Sequence, residues 1–164
     1  ITRTNQVDAQ AVEEIQAALR DYTDARVLKA AVSADCVVGA DGAGASLGEL
    51  DGRRVLPVCG IGNPATFEQT LRRLGAEPVE MLRFGDHHRY SLADVGRAVE
   101  QARQQNAECV VTTRKDWVKL SKLWMPAEGP NGRLELYRVD ARVELADPRG
   151  EFAGSLRQLV EEHS

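Results

Sequence analysis

The residues with the clearest capacity for chemistry lie in one short stretch, residues 84–90, which reads Phe-Gly-Asp-His-His-Arg-Tyr. An acid, two imidazoles, a guanidinium and a phenol therefore occupy five consecutive positions. Asp86 and His87 form an acid–imidazole pair, which can orient or accept a proton near neutral pH. A surface loop in which Asp86 only caps the local backbone has the same spacing, so both interpretations stay open. We expect His88 to be exposed and His163 to belong to the tail.

A glycine-rich segment, Gly60-Ile61-Gly62-Asn63-Pro64, offers a second kind of chemistry. Asn63 and Pro64 predict a helix start, because proline fits the first helical position, and amides at such a start can bind phosphate. The sequence has no GxxxxGK[ST] match, and Ala65 stands where a dinucleotide fingerprint needs a further glycine. Gly60, Gly62 and Asn63 therefore indicate either an anion-binding loop or a turn that needs glycine backbone angles.

A third segment, residues 112–119, places two hydroxyls, three cations and an acid at a predicted strand-to-helix junction. Lys115 and Lys119 are four residues apart and share a helical face, which could receive an anion together with Thr113. The alternative is that Asp116 favours the helix start electrostatically while both lysines are solvated.

All three segments follow predicted strands and lead into predicted helices. From residue 54 onward the predicted order is strand 54–59, helix 64–74, strand 79–84, helix 92–105, strand 109–113, helix 115–123, strand 134–139 and helix 151–162. This alternation predicts an α/β fold, a three-layer α/β/α Rossmann-like arrangement with a mostly parallel sheet. Since parallel strands end at one edge of a sheet, the three segments should share one site there.

Smaller signals refine these elements. Ser91 and Asp94 form a capping-box pattern before the helix that buries Leu92. Pro57 interrupts its strand and suggests an edge strand or a bend.

The region before residue 54 differs in character. It predicts a helix over 9–22, a strand over 26–32, and a glycine-rich ribbon or linker over 35–52. We therefore divide the chain into residues 1–53, leading from a missing domain, and a Rossmann-like domain at 54–164. The chain opens with Ile1, as if inside a strand and its turn, so we expect a fragment of a longer protein.

Composition limits the function classes. The 164 residues are 43% hydrophobic and 28% charged, which is typical of about one soluble globular domain. The net charge of -4 argues against a nucleic-acid-binding protein, which would need a basic stripe on its surface. No run approaches the roughly 18 apolar residues of a membrane span. Cys36, Cys59 and Cys109 are predicted to be reduced core thiols, and no CxxC or HxxxH pattern indicates a metal site.

Taken in order, these segments resemble one known family. Residues 58–67, Leu74-Gly75, residues 84–90 with Asp94, and residues 111–119 are similar to the C-terminal half of the tetraacyldisaccharide 4'-kinases of Gram-negative bacteria. The ending, residues 137–141 before a terminal helix, also fits. The likeness is strong from about residue 54 to the end and loose before it.

The resemblance implies a lipid kinase that transfers the ATP γ-phosphate to the 4'-hydroxyl of tetraacyldisaccharide 1-phosphate in lipid A biosynthesis. It implies Mg2+ as a cofactor and peripheral work at the cytoplasmic face of the inner membrane. It also implies two α/β domains joined by a β-ribbon, with the P-loop, the metal-binding acids, a carboxylate base and any membrane-docking surface in the missing half. His87 matches the histidine that the C-terminal domain contributes to catalysis, and Asp86 would orient it. Lys115 and Asp116 would hold the edge that faces the other domain or the nucleotide.

The sequence departs from the family pattern at position 114, and two alternative functions stay open. The family usually has Thr-Glu-Lys-Asp where this chain has Thr113, Arg114, Lys115 and Asp116, which puts any charge role of the second position in doubt. The isolated chain is expected to be inactive. The alternatives are a stand-alone nucleotide- or anion-binding regulatory α/β domain and a small hydrolase that uses Asp86 and His87.

Overall fold

The computed structural model describes residues 1–39, 42, 44–125, 127–130, 132–147 and 150–162, so His163 lies outside the described part. The helices are α1 (Ala9–Arg20), α2 (Pro64–Arg73), α3 (Leu92–Gln104), α4 (Arg114–Leu120) and α5 (Glu151–Glu162). The strands are β1 (Lys29–Gly39), β2 (Gly44–Ala45), β3 (Arg54–Cys59), β4 (Glu77–Pro78), β5 (Leu82–Arg83), β6 (Cys109–Thr113), β7 (Ala127–Gly129) and β8 (Gly132–Ala146). None of the helices described is long and apolar enough to cross a membrane.

The chain forms two compact units, residues 1–33 with 142–164, and residues 34–141. In the first unit the side chain of Asp8 caps α1 by accepting a hydrogen bond from the amide of Ala11, as an N-cap acid does. The Asn5 side-chain amide bonds the backbone of Val32 in both directions, at 2.8 and 3.0 Å. The predicted division at residue 53, with residues 1–53 leading from a missing domain, stays a prediction.

The second unit is built on the predicted parallel sheet. The strand order is β2-β1-β8-β6-β3-β4, with β5 also pairing with β3. Strand β3 runs parallel to β4, β5 and β6, and β6 runs parallel to β8. The pairs β1–β2 and β7–β8 are antiparallel. Three predicted βα connections therefore leave the sheet at the same edge.

Helices cover both faces of this sheet, which confirms the three-layer α/β/α arrangement. On one face, Phe67 and Leu71 of α2 pack against four strand residues: Val55, Cys59, Cys109 and Val111. On the other face, residues of α3 (Val95 and Ala98) and of α4 (Trp117 and Leu120) pack against three strand residues: Leu56, Val58 and Val110. The alternation of apolar side chains along β3 and β6 assigns each strand residue to one of the two cores.

Of the two alternatives predicted for Pro57, an edge strand or a bend, the edge strand is wrong, because β3 has partners on both sides. The carbonyls of Val55 and Cys59 accept bonds from Val79 and Phe84 on one side. Pro57 is two residues from each of them, so its backbone nitrogen and carbonyl face the same side of β3. That side is the interval between β4 and β5. The missing N–H of proline therefore falls where no ladder bond is made. The predicted strand over 79–84 is accordingly a two-residue strand, with β4 separate from it.

Other boundaries also differ from prediction. Strand β1 begins at Lys29 and continues to Gly39, into the segment predicted to be a ribbon or linker. Leu92, at the first position of α3, is 59% exposed instead of buried. Gly75 ends α2 with a left-handed φ of +79°, as predicted for a helix-terminating glycine.

Candidate functional site

The three predicted segments meet at the carboxyl edge of β3, β5 and β6. The amide of Gly60 donates a 2.9 Å hydrogen bond to Oδ2 of Asp116, across 56 residues of sequence. The hydroxyl of Thr113 donates to the same oxygen at 2.9 Å and accepts from the Asp116 amide at 3.2 Å. Thr113 is therefore the N-cap of α4, and Asp116, in the first turn of the helix, also binds the loop after β3.

Gly60 is the point where all three segments come closest. A Cβ atom at this position would lie 3.0 Å from the carbonyl oxygen of Gly85, 3.2 Å from the hydroxyl of Tyr90 and 3.4 Å from Oδ1 of Asp116. A side chain here would push against backbone, so glycine is required by close approach. At Gly62, by contrast, a Cβ would have no heavy atom within 4 Å.

The phosphate-loop interpretation of this segment is only partly compatible with the geometry. The Gly60 amide is already bound by the Asp116 carboxylate, so it is not available to an external anion. Asn63 accepts a 3.2 Å hydrogen bond from the Thr66 amide and serves as the N-cap of α2. Gly62 and Asn63 are exposed at the mouth of this loop.

The Asp116 carboxylate affects the titratable groups around it. Its side chain is fully buried, and within the described part of the chain neither Asp116 Oδ1 nor the Tyr90 hydroxyl has a hydrogen-bond partner. Burial, and then the nearby Asp116 carboxylate, raise the pKa of Tyr90, so the phenol stays protonated. The same two causes raise the pKa of Cys59 to about 11, which keeps this thiol neutral.

The loop that carries His87 is attached to α4 by an ion pair. Nζ of Lys115 donates to Oδ1 of Asp86 at 2.6 Å, and this hydrogen bond lowers the pKa of Asp86. Nε2 of His87 lies 3.6 Å from Oδ2 of Asp86, and the His87 side chain is 80% exposed. His87 has a left-handed φ of +61°, which costs about 1–3 kcal/mol for a residue other than glycine. The imidazole thus stands outward on a constrained backbone.

His88 is not exposed as predicted, because its ring packs inside the same loop. The ring stacks on Phe84 at a centroid distance of 4.5 Å, and Nε2 lies 3.1 Å from Oδ2 of Asp94. Partial burial acts to raise the pKa of Asp94, but hydrogen bonds from His88 and Ser91 outweigh it and hold this pKa below its ordinary value. The predicted capping box of Ser91 and Asp94 is confirmed.

Both lysines of α4 make hydrogen bonds within the protein, so they are neither solvated only nor without a protein partner that competes with an external anion. Lys115 binds Asp86, as described above, and Nζ of Lys119 donates to the carbonyl oxygen of His88 at 2.9 Å. Asp116 stands in the first turn of α4, as the alternative interpretation of this segment predicted.

Arg114 has a structural partner. One guanidinium nitrogen of Arg114 lies 3.5 Å from Oδ2 of Asp140, a buried carboxylate that Arg138 also binds at 3.0 and 3.2 Å. A base at position 114 therefore helps to neutralise a buried acid on β8.

Sequence reasoning placed Gly85 and Tyr90 in one of the three converging segments but gave neither residue a role of its own. It did not predict their close approach to Gly60, because spacing along the chain carries no signal of that contact. Among the residues that the structure describes, no group of three or more His, Cys, Asp or Glu side chains could hold a metal ion.

The family model and the relatives described below name the same family. The profile of the tetraacyldisaccharide-1-P 4'-kinase family matches residues 1–161. A tetraacyldisaccharide 4'-kinase from Halothermothrix orenii is 46% identical over 76 residues, which are 46% of this chain and 20% of that protein. One from Anaeromyxobacter dehalogenans strain 2CP-1 is 33% identical over 144 residues, which are 87% of this chain and 38% of that protein.

A solved structure gives the same result for the fold. The structure of LpxK from Aquifex aeolicus in complex with ATP matches with a TM-score of 0.52 and 23% identity, over 86% of this chain and 37% of the other. At this identity the likeness establishes the fold alone. The chain spans between 20% and 38% of the length of the two curated relatives described above.

Proposed function

The chain belongs to the tetraacyldisaccharide-1-P 4'-kinase family, and we propose that it contributes the C-terminal part of a kinase that transfers the γ-phosphate of ATP to the 4'-hydroxyl of tetraacyldisaccharide 1-phosphate. This places the longer protein in lipid A biosynthesis, at the cytoplasmic face of the inner membrane, with membrane association through its remaining part.

The observation that carries the proposal is the placement of His87. Its imidazole is 80% exposed, lies 3.6 Å from a carboxylate oxygen of Asp86, and stands on a loop fixed by Lys115. A histidine that served only the packing of this domain would be buried, as His88 is in part. The outward position suits a group that acts on atoms bound elsewhere in the longer protein.

The remaining catalytic parts are assigned to the rest of that protein. The described residues offer no cluster of three ligands for a metal ion, and the sequence has no GxxxxGK[ST] loop. In this proposal Mg2+ and the triphosphate of ATP would be held mainly by groups outside this chain. Residues Gly62, Asn63 and Thr113 lie on the edge that would face the nucleotide, with Lys115 and Asp116 supporting it.

Phosphoryl transfer depends mainly on positioning and on stabilising charge, so a second domain can contribute with few groups. In this proposal His87 assists a carboxylate that accepts the proton of the attacking 4'-hydroxyl, and Asp86 orients the imidazole. Closure of the domain over the nucleotide would also exclude water from the reaction.

The test is phosphoryl transfer by the full-length protein, wild type against His87→Ala. Loss of a proton-handling group should lower kcat by about 100-fold or more, with the KM for ATP little changed. Arg89→Ala, an exposed change two residues further along the loop, serves as the matched control and should stay within a few-fold of wild type. Activity of His87→Ala within a few-fold of wild type would return His87 to the role of a loop residue.

A further inference from the structure

Helix α4 holds the loop on both sides of His87. The residue before His87 is bound through its side chain, because Nζ of Lys115 donates to Oδ1 of Asp86 at 2.6 Å. The residue after His87 is bound through its backbone, because Nζ of Lys119 donates to the carbonyl oxygen of His88 at 2.9 Å. The two lysines are one helical turn apart, so both reach the loop from the same face of α4.

We infer that Lys115 and Lys119 are positioning residues that fix the direction of the His87 imidazole by clamping its two neighbours. Neither ammonium group is placed on the imidazole itself, so they act through Asp86 and His88. The inference rests on the proposed function of His87 and adds the device that holds it.

The helix that carries the lysines is itself firmly placed. Asp116 is fully buried, Trp117 is 8% exposed and Leu120 is 1% exposed, so the opposite side of α4 is packed into the sheet. Asp116 also joins α4 to the amide of Gly60. A helix packed in this way is a rigid support for the side chains that extend from it to the loop.

The backbone of the loop at His87 is in a conformation that needs support from its surroundings. His87 has a left-handed φ of +61°, a conformation that persists only where the surroundings hold it. The local bonds inside the tip are the His88 amide to the Gly85 carbonyl, at 3.2 Å, and the His87 amide to Asp86, at 3.1 Å. Since the Lys115–Asp86 pair is exposed, it adds little to global stability, and its contribution is to geometry.

Measuring both the rate and the stability of Lys115 variants distinguishes a positioning role for this lysine from a structural one. In the full-length kinase, Lys115→Met should lower kcat between about tenfold and a hundredfold, because a small misplacement of a reacting group is costly, while the KM for ATP and the melting temperature stay close to wild type. Lys115→Arg, which can still reach Asp86, should recover most of the rate. Lys119→Met should act in the same direction as Lys115→Met.

The pairing itself is tested by a double-mutant cycle. If Lys115 acts through Asp86, the double variant Asp86→Asn with Lys115→Met should be no slower than the slower single variant. Lys122→Met, an exposed lysine beyond the end of α4, is the matched control and should leave the rate unchanged. Additive losses, or an equal loss in the Lys122 variant, would overturn the inference.

A second readout does not depend on activity. In the 164-residue chain, Lys115→Met should shift or broaden the NMR signals of the His87 ring, and Lys122→Met should not. Unchanged His87 signals would overturn the inference even if the kinase assignment holds. Changed signals in a protein whose His87→Ala variant keeps full activity would instead show that the proposed role of His87 is wrong, and the clamp would then have no catalytic purpose.

Discussion

At the scale of single residues, the site depends on the contrast between two aspartates on neighbouring segments. Asp116 is fully buried and bonds an amide and a hydroxyl from other positions, so its loss would leave buried donors without partners. Asp86 is exposed and bonds a lysine, so its contribution to stability is small. The sequence predicted that Asp116 begins a helix, but its bond to Gly60 is a long-range contact that local spacing cannot reveal.

Asp94 gives the residue-scale prediction, which concerns acid stability. Hydrogen bonds from His88 and Ser91 keep its folded pKa below the unfolded value of about 3.9. The resulting stabilisation is complete above the unfolded pKa and is lost as the pH falls through the folded pKa. The free energy of unfolding, measured with urea from about pH 6 to about pH 3, should therefore fall less steeply on acidification in Asp94→Asn than in wild type.

Glu100→Gln provides the matched comparison, since Glu100 is an exposed acid on the same helix. It should keep the wild-type slope. Identical slopes for wild type and Asp94→Asn would mean that the contact between His88 and Asp94, at 3.1 Å, does not stabilise the carboxylate in solution.

At the scale of elements, the parts of the fold that carry strong local signals were predictable. Strand β3, the starts of α2 and α3, and all of α5 match the sequence pattern, because caps, proline positions and apolar periodicity act within a few residues. The segment over 79–84 was not predictable in detail, since Pro57 on the neighbouring strand interrupts its pairing. The convergence of three loops was predicted from topology, but the crowding at Gly60 was not.

Gly60 gives the prediction at this scale. Gly60→Ala would place a Cβ 3.0 Å from the Gly85 carbonyl oxygen, which belongs to the loop of the neighbouring segment. The loops after β3 and β5 must separate to admit it, so the variant should be destabilised by about 1–3 kcal/mol. Thermal unfolding of the chain should show this as a drop in melting temperature of about 2–12 °C.

Gly62→Ala is the control for Gly60→Ala, because it changes the same residue type in the same loop where a Cβ has no heavy atom within 4 Å. It should alter the free energy of unfolding by no more than about 0.5 kcal/mol. Equal melting temperatures for the two variants would contradict the close approach of the three segments.

At the scale of the whole molecule, the described site has groups that position and groups that handle protons. Two of its cations, Lys115 and Lys119, are already bound to Asp86 and to the His88 carbonyl. In the proposed function, most of the negative charge of the transferring phosphate is therefore stabilised by groups in the rest of the longer protein. The chain matches relatives of which it covers 38% or less in the cases described, which leaves ample length for such groups in a longer protein.

The final prediction follows from this division of labour. The 164-residue chain alone should transfer no phosphate from ATP to tetraacyldisaccharide 1-phosphate above the uncatalysed background, whereas the full-length protein should do so. Both proteins would be assayed with radiolabelled ATP at equal concentration, and ATP would also be titrated into the chain by calorimetry. Transfer by the chain alone would refute the assignment of phosphate binding to the rest of the protein. Saturable ATP binding by the chain, in a protein whose full-length form shows no transfer, would favour a nucleotide-binding regulatory domain, because a domain of that kind needs no second half to hold its ligand.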